Sequence, residues 1–229
     1  TLSSSSAASD VYKRQIKENT LSLLNQLPME VKLVAVSKTK SNNDILESYK
    51  AGQRIFGENK VQEMTRKYEV LPKDIQWHMI GHVQSNKVKY MAPFVALIHG
   101  VDSLKLLKEI NKQALKNNRV INCLLQVHIA RESTKFGLSN IECIETLIAA
   151  ESLENIIIKG LMGMATFTDD QSQIEQEFDG LKQLYDKLAV KYSEFEILSM
   201  GMSGDYHIAI TKGSNMIRVG SKIFGERNY

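Results

Sequence analysis

The chain has 229 residues, the size of one large domain, and its 29 basic and 26 acidic side chains leave a net charge of +3, well short of a dedicated nucleic-acid binder. Hydrophobic residues at 43% suffice for a core, and 13 glycines with 3 prolines are too few for a linker-rich or disordered chain. No apolar run reaches the roughly 18 residues of a membrane helix, and two cysteines 20 positions apart without a CxxC exclude a disulfide mini-protein or zinc module.

The chain opens on the Ser-rich stretch TLSSSSAASDVYKRQ, with no initiating Met and no apolar signal-peptide core. Residues 1–10 are read as a disordered or non-native segment and 11–229 as one domain. Ile16, Leu23, Leu24 and Leu27 then fit an extra N-terminal amphipathic helix. Strand candidates follow at Lys32–Ser37, Arg54–Gly57, Gln76–Ile80, Phe94–Ile98, Ile121–Ile129, Ile156–Leu161, Glu196–Leu198 and Met216–Val219. Helices are predicted between them over Asn42–Ala51, Asn59–Tyr68, Asn86–Met91, Ser103–Lys116 and about Ser203–Thr211. Two more are marked by a Ser139/Glu142 capping box and by the stripe Ile174, Phe178, Leu181, Tyr185, Leu188. Eight alternating strand–helix units predict an α/β fold, a single (β/α)8 TIM barrel. A doubly wound open sheet is the rival, but no GxGxxG follows the first strand.

In such a barrel the active site lies at the C-terminal ends of the strands. There the first strand ends in Lys38 and Lys40, which alternation would point to one side. A like charge and desolvation both lower an ammonium pKa, as a Schiff-base lysine requires, whereas a solvated strand end would make them ordinary surface lysines. The run SMGMSGD offers two glycines for close ligand approach, with Ser203 as a candidate helix N-cap, or else is an ordinary capped loop. Arg218 stands inside the last strand, where an unpaired charge is costly. It calls for a ligand or a carboxylate partner. Gly220 and Ser221 just beyond could add N–H and hydroxyl groups to a phosphate cup. Together the three segments suit an aldehyde-bearing phosphate: pyridoxal phosphate, or a sugar phosphate on an aldolase.

The segments AVSKTK (35–40), AGQRIFGENKVQE (51–63), WHMIGHVQSNK (77–87), STKFG (133–137), GLMGMAT (160–166), LSMGMSGDYHIAI (198–210) and MIRVGSKIFGER (216–227) are then recognisable in order. The sequence resembles the pyridoxal phosphate homeostasis protein family, stand-alone relatives of the alanine racemase N-terminal barrel. The resemblance implies a cytoplasmic, monomeric barrel that binds pyridoxal 5'-phosphate (PLP) and stores, buffers or delivers it without significant turnover. PLP-dependent apo-enzymes would be its transient partners. By the same resemblance Lys38 is the Schiff-base lysine, Asn59 neighbours the ring, Ser203, Gly220 and Ser221 take the phosphate, and Arg218 faces the pyridine nitrogen. Ser221 stands where the family usually has threonine, and the hydroxyl survives. Lys135 matches a recurrent family lysine, near the ring oxygen or at a transient second site. His82 reads as a core or loop histidine, and Met162, Met164, Met200 and Met202 as barrel-mouth packing. The alternative is a PLP-dependent amino-acid racemase. In alanine racemase an opposing acid/base group comes from a second β-domain, for which the reading finds no room beyond Val219. No metal is expected.

Overall fold

Parallel neighbours cannot be joined by a tight turn, so each strand here is followed by a crossover segment. The computed structural model describes residues 4–132 and 136–226. Helix α1 (Ser4–Gln26) precedes β1 (Lys32–Val36), α2 (Asn42–Lys50), β2 (Ile55–Glu58), α3 (Val61–Val70) and β3 (Gln76–Met79). A 3-10 turn at Ser85–Lys87 then leads into α4 (Val88–Met91), β4 (Leu97–Val101), α5 (Leu104–Lys116), β5 (Ile121–Gln126) and α6 (Asn140–Ala150). The chain continues through β6 (Ile156–Met162), α7 (Gln171–Ala189), β7 (Ile197–Ser199), α8 (Tyr206–Thr211), β8 (Met216–Val219) and α9 (Ser221–Phe224). The strands pair in parallel in chain order, and β8 returns to β1 to close the barrel.

Alternation along each strand splits the core into two layers. Val34, Leu97, Leu124, Met162, Ile197 and Met216 form the inner cluster. Leu33, Ala35, Ile217 and Val219, on the other face, join the larger cluster that includes the helices. Arg218 shares the face of Met216 and pairs in register with the inward Val34, so alternation carries a guanidinium into the barrel interior. Outside, α7 presents the expected stripe: Ile174, Phe178, Leu181 and Leu188 are buried, with Tyr185 packed beside them. Each such large apolar side chain contributes roughly 1.5–3 kcal/mol on full burial. Ser139 and Glu142 form the expected capping box, and Ser41 with Asp44 forms a second.

The fourth strand lies at Leu97–Val101, three residues later than Phe94–Ile98. Phe94 and Val95 instead donate their amides to the Met91 carbonyl, and the Phe94 ring stacks on Tyr68 at 4.0 Å. Its apolar run therefore covers a turn. The fifth strand ends at Gln126; beyond it the Val127 amide still donates to the Met162 carbonyl at 2.8 Å, and Val127 makes an isolated bridge to Leu138. Helix α8 starts at Tyr206, and α9, four residues long, is too short to show periodicity. At the β6–β7 seam Gly160 has φ +143°, and a Cβ there would stand 1.9 Å from the Ile197 carbonyl oxygen. Only glycine allows the two strands to meet.

Candidate functional site

The C-terminal strand ends enclose one cavity of about 440 Å³, within the size range of small-molecule sites. Lys38, Asn59, Ser203, Arg218, Gly220 and Ser221 all line it. Lys40 does too, along with Val36, Ile80, Met164 and Met202 as apolar wall. Lys135 lies outside the described residues.

The lysines reach the cavity by another route than strand alternation. β1 stops at Val36, the Lys40 amide donates to the Ser37 carbonyl at 3.0 Å, and Thr39 takes φ +66°. Residues 37–40 are thus a turn. Within it Lys40 donates its Nζ to the Phe224 carbonyl at 2.8 Å, tying the turn to α9.

The turn is backed by a charge cluster that sequence reasoning missed. Ser37 Oγ donates to Glu58 Oε1 at 2.5 Å, and Lys67 Nζ donates to both Glu58 Oε1 and Glu63 Oε1 at 2.8 and 2.7 Å. Burial pushes the Glu58 carboxyl up, opposed by the Lys67 ammonium. A charged residue at the end of an apolar barrel strand was the available signal, much as a charge inside one was for Arg218.

Ser203, also at the cavity, is not a helix cap. Asp205 occupies the N-cap position of α8 without a side-chain cap bond, and Ser203 Oγ instead accepts from the Gly220 amide at 3.2 Å. Asp205 lines the cavity while its Oδ1 accepts from the Met202 amide at 2.5 Å. Gly220 lets β8 close on β1: a Cβ there would meet the Val36 carbonyl oxygen at 3.2 Å and Val36 Cβ at 3.3 Å. That approach brings Ser221, at the start of α9, to the same cavity as the lysine turn.

Arg218 forms the cavity floor. Its Nη1 donates to the Ser199 carbonyl and hydroxyl at 2.9 and 2.7 Å, and its Nη2 to the Gly163 carbonyl at 3.0 Å. Burial pulls its pKa down to about 10, partly offset by the Asp205 carboxylate, so it is cationic at neutral pH. Behind it Ser199 meets His99 Nδ1 at 3.2 Å, and His99 Nε2 meets His78 Nδ1 at 3.0 Å. Both imidazoles are buried, and desolvation keeps them neutral. Histidines within two neighbouring strands were the overlooked signal.

His82 is a loop histidine as expected, with Nδ1 2.9 Å from Asp102 Oδ2 and its ring stacked on Phe136. Of the four methionines, Met164 and Met202 line the cavity, while Met162 and Met200 are fully buried. Cys123 and Cys143 are buried free thiols, the latter pushed up to about 12 by desolvation. Among the described residues no His/Cys/Asp/Glu group could hold a metal, and no helix is long and apolar enough to cross a membrane.

The donor set fits a planar aromatic phosphate carrying an aldehyde. It offers amines, hydroxyls, a buried donor-only guanidinium and apolar side chains around one cavity. The alanine racemase N-terminal domain model matches residues 11–228. A pyridoxal phosphate homeostasis protein of Aquifex aeolicus is 40% identical over 200 residues, covering 86% of this chain and 88% of the relative. The chain belongs to the pyridoxal phosphate homeostasis protein family. The PipY protein of Synechococcus elongatus, solved with PLP bound, superposes with a TM-score of 0.84 at 34% identity over 92% of this chain and all of that one. Alanine racemase from Enterococcus faecalis shares the fold, with a TM-score of 0.74 at 17% identity. This chain covers 94% of its own length there but 58% of the racemase.

Proposed function

We propose that this chain binds PLP and serves its homeostasis by storing, buffering or delivering it, without significant turnover. The observation that carries the reading is the convergence of Lys38, Arg218 and the Ser203/Ser221 hydroxyls on one cavity. PLP supplies an aldehyde that an amine can hold covalently and a ring that can draw off charge. Lys38 would offer that amine, Asn59 would neighbour the ring, and Ser203, Gly220 and Ser221 would take the phosphate. Arg218 would be the partner of the pyridine nitrogen.

A guanidinium can donate but not accept, so it favours an unprotonated ring nitrogen and a poor electron sink. That suits a carrier. The family-model match over residues 11–228 supports a domain that begins near residue 11, although α1 runs on back to Ser4 rather than leaving that stretch without structure. We assign the protein to the cytoplasm as a monomer, with PLP-requiring apo-enzymes as its transient recipients.

The test is spectral titration with PLP, then chiral analysis of alanine incubated with the loaded protein. The reading expects saturable binding and no interconversion of L- and D-alanine above the rate of free PLP. Saturable racemisation that exceeds the free cofactor and vanishes in Lys38→Ala would replace the carrier with a racemase.

A further inference from the structure

Both chain neighbours of Lys38 are gripped by one charge cluster. On one side the Ser37 hydroxyl donates to Glu58 Oε1 at 2.5 Å, while its carbonyl accepts from Lys67 Nζ at 2.8 Å. On the other the Thr39 amide donates to Glu63 Oε1 at 2.6 Å. Lys67 joins the halves, bonding Glu58 at 2.8 Å and Glu63 at 2.7 Å. None of the three is among the residues lining the cavity.

The cluster is an expensive way to hold a turn. The side chains of Glu58 and Lys67 are 0% and 7% exposed, and Glu58 Oε2 is buried without a hydrogen-bond partner. Apolar residues of similar volume often serve stability as well as a buried ion pair. Thr39 is also held at φ +66°, a conformation that costs a non-glycine residue on the order of 1 kcal/mol. Strain and buried charge meet on either side of one residue, and that residue is the amine at the cavity wall.

We propose that Glu58, Glu63 and Lys67 are positioning residues for Lys38: by fixing Ser37 and Thr39 they aim its Nζ for reaction with an aldehyde. The inference rests on the reading of Lys38 given above. In that reaction Nζ forms the C=N bond, and the aldehyde oxygen leaves as water with the two amine protons. Misaim should slow capture of the aldehyde while leaving recognition of ring and phosphate intact.

The experiment uses Glu63→Ala, Glu63→Gln, Lys67→Met and Lys67→Arg beside the wild type. Two ligands are compared: PLP, and 4-deoxypyridoxine phosphate, which keeps the ring and phosphate but has no aldehyde. Glu63→Ala and Lys67→Met should slow covalent capture of PLP by about tenfold or more, with affinity for the analogue changed by less than about twofold. Hydrogen exchange at the Thr39 amide should quicken in the same variants. Glu63→Gln and Lys67→Arg, which retain an acceptor and a cation, should recover most of the capture rate. Should Lys67→Met fail to fold, the partly exposed Glu63→Ala carries the test. Equal losses toward both ligands, or an unchanged capture rate with a freed Thr39 amide, would overturn the proposal. If the wild type itself captures no PLP at Lys38, the reading of the site falls and the positioning role with it.

Discussion

Arg218 Nη1 donates to the Ser199 hydroxyl across 2.7 Å, and that bond sets the direction of a hydrogen-bond chain through the barrel. A guanidinium has no acceptor, so Ser199 Oγ accepts from it, and we assign its own proton to His99 Nδ1, the other group in hydrogen-bond reach of that hydroxyl among the described residues. His99 then carries its proton on Nε2 and donates to His78 Nδ1, which leaves the His78 proton on Nε2. Nitrogen-15 NMR of the imidazoles should find both rings as neutral Nε2–H tautomers at pH 7. A protonated Nδ1 on either ring would contradict this direction.

The same chain makes acid costly. Desolvation first, then the Lys32 charge, pulls the His78 pKa from 6.5 down to about 3. Between these values the unfolded chain binds a proton that the folded one does not. The stabilising contribution is therefore intact above about pH 6.5 and is lost as the pH falls toward about 3, at about 1.4 kcal/mol per pH unit. Denaturant titrations at pH 7 and 5 should show His78→Gln losing less stability than the wild type. An equal or greater loss would place the imidazole outside the linkage.

Gly160→Ala should be among the most damaging single-methyl changes in the molecule. Its Cβ would sit 1.9 Å from the Ile197 carbonyl oxygen at φ +143°, so two paired strands must separate. Overpacking and backbone strain together predict a loss on the order of 3 kcal/mol or more, read as a lower denaturation midpoint. Gly180→Ala, where the added Cβ meets nothing within 4 Å, is the matched control and should be neutral or mildly stabilising.

The two cavity hydroxyls, Ser203 and Ser221, can be tested by ligand comparison. If Ser203 and Ser221 hold a phosphate, Ser203→Ala and Ser221→Ala should each weaken PLP by roughly 1.5–3 kcal/mol, as for hydrogen bonds to charge. Affinity for pyridoxal, which lacks the phosphate, should barely change in either variant. Spectral titration reads both. A parallel loss for the two ligands would move the phosphate elsewhere.

Much of this arrangement was legible before any coordinates. Strand–helix alternation predicts the barrel because each buried parallel strand is an apolar run bounded by turn residues. Lys38 and Ser221 stand out just past the apolar runs, Arg218 as a charge inside one, and Ser203 within a Gly-rich loop. What stayed hidden depends on distant partners. His99 meets Ser199 across 100 positions and His78 across 21, so no local pattern announces the chain behind Arg218. The Glu58–Lys67 pair joins a strand end to the next helix, and only folding reveals that both grip the Lys38 turn. Alternation misled at residues 38–40 because Thr39 breaks the strand, and at Phe94 because an apolar turn looks like a strand.

In the proposed function one amine in this cavity, that of Lys38, holds the cofactor's aldehyde. Incubating the purified protein with PLP, reducing with borohydride and mapping the peptides by mass spectrometry tests it most directly. One pyridoxyl phosphate group per chain is expected, attached at Lys38, and it should disappear in Lys38→Ala while the fold persists. Label confined to Lys40 or Lys135, or a Lys38→Ala protein that traps the cofactor as well as the wild type, would contradict it.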